Sequence, residues 1–508
     1  MPRVDSTMLV VGTVPQYFLD NVVIDQVQDL TRTVHAPRKE PGPLVAKDRS
    51  WENIPYLTVT GWSVVRDAAT DRFLCWYEDW QFDPAQDAKC EKTFQSPVHS
   101  RLCLATSADG LHWEKPAFDY QLHDGQRTNV VFGGDSERKS EVHHVFLDPL
   151  EPDGERRFKL MYERQTPDGH MFSVAHSPDG VQWTRMKGEP CFGEYGGRLG
   201  DGFIAFCDED ARVYRMTCRH SATQKIHHDP RRPQTTSLFF PPTYPGEPLR
   251  ANKRRVFQAV SRDLMRWSAP QCIIAPDEDE ENLDETFYGM PQMKLGPYYL
   301  GFLNTLHEVS NTMNVRLAYS RDGWTWRHLN QRQPWLTTTP DAWDRYMVNM
   351  SVAPIPVGDD LYVFHGGAGN HHDYWINGRR DGLAVPEADD VDLVRYGLGL
   401  ARLRRGGFVS LDAGPVRDGI LVTRMLHTDA HELVINAACA DGGAIEVEVT
   451  DPDENVIDGC ARDQCDAFTG DQIDAPITWR GRAGIEHAGS VRLRFFIRSA
   501  SLYAFGFK

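Results

Sequence analysis

The sequence predicts an all-β protein, a five-bladed β-propeller followed by a small β-sandwich, and three observations carry that expectation. Four segments share a serine, an aspartate two positions on and a tryptophan six positions on. A fifth strand series follows without that turn. Beyond Leu411 the pattern changes to short alternating strands separated by polar turns. Internal repetition is weighed first because it sets the architecture of the whole chain.

The repeated segments are Ser107–Trp113, Ser177–Trp183, Ser261–Trp267 and Ser320–Trp326, and in three of them glycine follows the aspartate directly. The motif reads as a tight hairpin: the aspartate ties its own turn backbone, and glycine supplies a positive φ. The tryptophan then packs between neighbouring sheets. An alternating strand precedes each turn, as in Arg101–Thr106 and Val315–Tyr319, with two more strand-like runs upstream. Units begin near Trp51, Glu141, Gly200 and Asp284. A fifth runs from Trp343 through Leu361–Phe364 and Gly397–Arg402 to Phe408–Leu411. Intervals of roughly 60 to 85 residues suit propeller blades carrying insertions. The longest insertion, His220–Arg250, reads as a loop over one face of the ring.

The expected domains are therefore 51–411 for the propeller and 412–508 for the sandwich, which docks on the propeller and carries no catalytic group. Its strands are Ile420–Thr423, Glu432–Asn436, Ala444–Val449, Ile477–Trp479 and Val491–Ile497. Residues 1–50, strand-like at Tyr17–Asp20 and Val22–Ile24, should cross the ring surface or donate a strand that helps close it. No helix of convincing length is expected.

A chain of 508 residues exceeds what one core usually organises. Its formal charge of -17, from 72 acidic against 55 basic residues, repels phosphate backbones and anionic headgroups, so neither nucleic acid nor membrane is an expected partner. The apolar run Met8–Val11 is too brief for a signal-peptide core or a membrane span, and a cytoplasmic location is expected. The ten cysteines form no dense framework and no CxxC pair, which argues against a disulfide scaffold and a zinc ribbon. No cofactor and no metal are called for.

Blades marked by S-x-D-G-x-x-W and followed by a sandwich resemble the five-bladed propeller glycoside hydrolases of the arabinanase, levansucrase and invertase superfamily. The resemblance implies catalytic carboxylates at the starts of the innermost strands, pointing into a central funnel, and a structural sandwich. The sialidase Asp box, S-x-D-x-G-x-x-W, is similar but one residue longer.

Glycoside cleavage asks for two carboxyl groups across the sugar, one protonated and one ionised. Glu52, Asp201 and Glu285 stand at inner-strand entrances and are the candidate catalytic residues. Asp201 lies between two glycines that permit close approach, and the aromatic neighbours of Glu285 would raise its pKa by desolvation. Trp51, His144, Asp344, Arg345 and His371 are the candidate substrate-binding residues. Trp51 would stack on a sugar face, and Arg345 would keep Asp344 ionised. His143 and His144 point to opposite faces of a strand, so only one of them lines the funnel. His371 belongs to the cluster Asn370–Trp375, whose aromatic, amide and imidazole groups suit sugar recognition. Each candidate has a structural alternative: ring lining for Glu52, an Asp-Gly turn for Asp201, a solvated acidic run beside Glu285, a salt bridge for Asp344. The function expected is hydrolysis of a small glycoside or oligosaccharide. A non-hydrolytic carbohydrate-binding propeller, or a lyase or phosphorylase using the same funnel, is the alternative.

Overall fold

A computed structural model describes residues 8–83, 89, 99–133, 140–166, 169–188, 190–192, 202–218, 254–276, 281–282, 284–381, 384–485 and 489–508. Among them the protein is almost entirely strand, consistent with a β-propeller fold, with two short α-helices, Tyr374–Asp381 and Pro386–Asp389. Both helices lie in the connection between the second and third strands of the fifth strand series, where the sequence predicted a loop. No helix of the described residues is long and apolar enough to cross a membrane.

Strand pairing follows the chain in antiparallel meanders, as expected where short connections join neighbours. The first unit orders Trp62–Asp67, Arg72–Gln81 and His99–Ser107, with Trp113–Glu114 and Val130–Gly133 on its outer edge. Ser140–Leu147, Phe158–Thr166, Gly169–Ser177 and Thr184–Arg185 form the second. Ile204–Asp208, Val213–Cys218 and Val256–Ser261 form the third, edged by Arg266–Trp267 and Gln271–Ile274. In the fourth, Glu285–Gly289 and Gln292–Leu295 precede Tyr298–His307 and Thr312–Ser320. The last unit pairs Met347–Asn349 and Ile355–Val357 with Asp360–Ala368, and that strand with Tyr396–Arg404.

The repeated motif builds the turn that its residues predict. Asp109 Oδ1 accepts the backbone N–H groups of Leu111 and His112, both at 2.8 Å, and Ser107 Oγ accepts that of Gly110 at 2.8 Å. The same bonds recur around Asp179, Asp263 and Asp322. Gly110, Gly180 and Gly323 have φ of 78°, 75° and 74°. Leu264 takes the same left-handed conformation, φ 64°, at the one motif that lacks glycine.

Contacts between units return to their starting point. Trp76 Nε1 of the first unit donates to Gly180 O of the second at 2.8 Å. Tyr214 of the third donates to Asp148 of the second, and Gln258 of the third to Gly323 O of the fourth, both at 2.8 Å. Asn304 of the fourth exchanges two hydrogen bonds with the Met350 backbone, each 2.8 Å. Asn349 of the fifth then meets the first, accepting from Trp62 at 3.2 Å and donating to Thr58 at 2.9 Å.

The outer strand of the fifth unit departs from expectation. Val409–Ala413 does not pair with Tyr396–Arg404; it joins the C-terminal sheet, between Thr31–Val34 and Ser490–Phe507. The vacated edge is filled by Arg38–Lys39 and Val45–Ala46 from the N-terminal segment. Val409 and Leu411 are buried in the C-terminal core, and that burial takes the strand out of the fifth unit.

The same N-terminal segment serves the C-terminal sheet. Leu9–Val10 pairs with Leu426–His427, Gln16–Tyr17 with Ser490–Phe507, and Ile24–Gln28 with Gly419–Thr423. The sheet is built on the long pair Leu433–Thr450 and Ser490–Phe507, where Ile445, Val447 and Val449 alternate inward opposite Leu493, Phe495 and Ile497.

Candidate functional site

Glu285 opens the inner strand of the fourth unit and is 1% exposed. Its Oε1 accepts from Arg316 at 2.7 Å and from the Asn282 amide at 3.0 Å, with His307 Nδ1 3.6 Å away. Burial pushes its pKa up, but the Arg316 hydrogen bond and charge, the Asn282 amide and His307 outweigh it. The net shift is downward. This overturns the expectation of a raised pKa, because the carboxylate turns to Arg316 rather than to its aromatic sequence neighbours. A second carboxylate, Glu281, continues the network, accepting from Arg332 Nε at 2.8 Å and lying 3.4 Å from His328.

An aromatic cluster gathers from the first, fourth and fifth units. Tyr56 stacks on Trp80 with centroids 4.1 Å apart and meets Tyr396 edge-on at 5.2 Å. Tyr288, three residues beyond Glu285, places its hydroxyl 2.7 Å from His372 Nε2, and Arg254 lies 4.4 Å over its ring. The loop before the longer helix is pinned there: Asn311 donates to Asp373 at 2.6 Å, and Trp375 Nε1 donates to Tyr396 OH at 2.8 Å. Tyr56, Tyr288, Trp375 and Tyr396 pack in one cluster, Trp80 Nε1 donates to Glu78 at 2.5 Å, and burial pushes the Tyr56 hydroxyl pKa well up. Tyr56, Tyr288, Tyr396, Glu78 and His372 are buried and Trp80, Arg254 and Asp373 half-buried, so hydroxyl, imidazole, guanidinium and carboxylate groups stand here beside ring faces.

Glu52 and Trp51 belong to a different network. Glu52, 3% exposed, accepts from Tyr77 at 2.6 Å, from Lys115 at 2.7 Å, and from the backbone N–H groups of Asp48 and Arg49, both at 3.0 Å. Trp51 Nε1 donates to Asn129, which in turn donates to Tyr77. Arg101, bonded to the Trp51 carbonyl, also holds the buried Asp79, whose pKa burial raises.

Asp344 and Arg345 part company. Asp344 is buried against Lys39, so its ion pair runs to the N-terminal segment and not to the adjacent arginine. Arg345 lies 4.9 Å over the Tyr346 ring, whose centroid is 4.1 Å from that of His371. His371 also contacts Glu387 through Nδ1. Arg345 and His371 are thus brought together through Tyr346. His144 sits between the first two units, Nδ1 3.2 Å from Ser63 Oγ. Asp201 and the insertion 220–250 lie outside the described residues.

Sequence reasoning passed over Tyr56, Trp80, Tyr288 and Tyr396. The signal for Tyr288 was present, three residues past Glu285 on an inner strand, whereas Tyr56 and Tyr396 meet only through the fold. Among the described residues no group of three or more histidine, cysteine or acidic side chains is arranged to hold a metal.

No family model and no curated protein sequence matches the chain. Solved structures similar to it include a thermostable family-43 glycoside hydrolase, 12% identical with TM-score 0.43, covering 74% of this chain and 95% of that one. A glycosyl hydrolase from Bacteroides ovatus is 13% identical with TM-score 0.44, over 73% and 94% of the two chains. An N-acetylgalactosamine deacetylase from F. plautii, in complex with blood group B trisaccharide, is 13% identical with TM-score 0.43, over 75% and 97%.

Proposed function

We propose that the protein is a glycoside hydrolase acting on a small glycoside or oligosaccharide at the end of the units where Tyr56, Tyr288 and Tyr396 meet. The observation that carries this reading is the packing of Tyr56, Trp80, Tyr288 and Tyr396 in one cluster, with Glu78 bonded to Trp80 and His372 to Tyr288, contributed by three different units. Contacts that run from the first unit to the fifth and back support a five-bladed ring, and such a ring brings inner-strand entrances to one funnel. The C-terminal sheet, with its N-terminal strands, reads as the accompanying sandwich.

Within that site Glu285 takes the ionised role, base or nucleophile, since Arg316 favours its charged form. Asp201, which the sequence sets just before Ile204–Asp208, is the proposed acid partner. Glu52, in the separate network of Lys115, Tyr77 and backbone donors, is assigned to holding the first unit's entrance. Arg345 and His371, joined through Tyr346, flank the site as substrate contacts.

The test is a panel of chromogenic furanosides and pyranosides, followed by Glu285→Gln and Asp201→Asn on whichever substrate is turned over. Each variant should lower kcat by at least about a hundredfold, the usual worth of acid or base catalysis, read on protein shown to be folded; Glu285→Gln also leaves the buried Arg316 without its charge partner, so its melting temperature should fall. Near-wild-type turnover in both folded variants would overturn the assignment. Sugar binding without any turnover would replace hydrolysis by recognition.

A further inference from the structure

Beside the proposed site one histidine is held at every polar atom but one. The His371 backbone N–H donates to Glu387 Oε1 at 3.2 Å, its carbonyl accepts from the Asn370 amide at 2.9 Å, and its ring Nδ1 meets the same Glu387 oxygen. Tyr346 and Tyr374 lie against the ring, with centroids 4.1 and 4.9 Å away, and Tyr374 is tied in turn to Val309 O at 2.6 Å. Nε2 alone has no partner among the described residues, and with 18% of the side chain exposed it is open to solvent. His372, the next residue, is buried and turns its Nε2 to Tyr288 instead.

Glu387 decides what that nitrogen offers. It is buried on the short helix Pro386–Asp389, 16 positions from His371. Burial raises its pKa, but the His371 ring and the backbone N–H groups of Glu387 and His371 outweigh that, and the net shift is downward. An ionised carboxylate only accepts, so the ring nitrogen facing it is the one that carries the proton. The neutral imidazole then presents Nε2 as a bare acceptor, since the hydrogen bond made by one ring nitrogen sets the state of the other.

The complementary group also lies against Tyr346. Arg345 stands 4.9 Å over that ring and is anchored by Nε, which donates to Gly369 O at 3.2 Å. A guanidinium only donates, so one ring has an acceptor and a donor beside it. A sugar hydroxyl both donates and accepts, and an acceptor already fixed in place leaves less to be ordered when it binds.

We infer that Glu387 is a positioning residue: it fixes the His371 ring so that Nε2 accepts from a sugar hydroxyl, and it acts on substrate only through that histidine. The inference rests on the proposed glycoside site and adds to it the residue that sets the tautomer of His371.

The experiment has two arms. In the first, the full-length protein, isotope-labelled at its histidine ring nitrogens, is titrated with base by NMR, the His371 signals being those lost in His371→Gln. The neutral ring should carry its proton on Nδ1. Glu387→Ala should move the proton to Nε2, and Glu387→Gln, which keeps an acceptor, should restore the wild-type tautomer. In the second, kinetics are read on whichever chromogenic glycoside of the panel is turned over. Glu387→Ala should raise KM about two- to tenfold, the worth of one hydrogen bond, with a smaller change in kcat. In a His371→Gln background the same change should add nothing to KM. The inference is overturned if the neutral wild-type ring carries its proton on Nε2, a reading that needs no variant to fold. It is overturned equally if Glu387→Ala, folded by its melting profile, raises KM as much without His371 as with it. If no glycoside is turned over, hydrolysis alone fails, and the tautomer decides the role of Glu387.

Discussion

His365 shows how a single buried side chain writes pH dependence into this protein. Burial and then the nearby Lys39 charge hold its pKa down to about 4, against 6.5 for a free imidazole, while Asp344 pulls the other way. Between those values the unfolded chain binds a proton that the native protein refuses. Stability therefore falls as pH drops from about 6.5 toward 4, and is fully present above that window. Replacing His365 by Gln should flatten the dependence, read from urea midpoints at pH 7 and pH 5. Glu285 has the opposite consequence for activity. In the base or nucleophile role proposed for it, its depressed pKa keeps the carboxylate ionised below the ordinary 4.5, so the acidic limb of kcat/KM should lie below that pH. Glu285→Gln should abolish that limb along with the activity it reports.

At the level of the element, the repeated turn carries two separable requirements. The first is the aspartate, whose carboxylate accepts two backbone N–H groups; Asp322 is held down to about 2 by burial-opposed bonds to Thr325, Trp324 and Ser320. Its replacement by Ala should cost about 1.5 to 3 kcal/mol, the range for hydrogen bonds to a charged group, measured by chemical denaturation. The second is the left-handed residue that follows. At Gly180 a Cβ would run into the Trp76 ring as well as strain the backbone, so Gly180→Ala should destabilise more than relief of glycine's entropy could offset. Leu264 reverses the balance. Glycine there would remove about 1 to 2 kcal/mol of backbone strain. The same change would empty a 1% exposed site in the core of the third unit, at a cost of about 2 to 5 kcal/mol. Leu264→Gly should therefore be net destabilising, which a urea midpoint checks.

Across the whole molecule the N-terminal segment is a strap. Residues 9–34 lend strands to the C-terminal sheet, and 38–46 complete the outer edge of the fifth unit. The strap is anchored by Lys39 on the buried Asp344. Lys39→Met leaves that carboxylate buried and unpaired, and breaking such a pair costs about 3 to 5 kcal/mol. Calorimetry of that variant should show the fifth unit and the C-terminal sheet losing stability together, since one segment serves both. Two transitions, with only one displaced, would show that the strap couples nothing.

By itself the sequence determined what depends on near neighbours. The motif turns were legible because serine, aspartate and the left-handed residue bond within seven positions, and the alternation of Ile445, Val447 and Val449 reveals a strand with one buried face. The strand start at Glu285 was legible too, because unit boundaries follow from the repeat. What the tertiary structure alone decided were the partners. Asp344 pairs with Lys39, 305 positions away, rather than with the arginine beside it. Glu285 is held ionised by Arg316 on another strand, and Tyr56 packs with Tyr288 and Tyr396 only when three units come together. Val409–Ala413 left the fifth unit because a buried face was on offer in the C-terminal sheet and the strap could cover the edge it vacated. A local pattern states which residues want burial or charge; only the folded chain states what stands opposite them, and pKa, pairing and site geometry all depend on the opposite member.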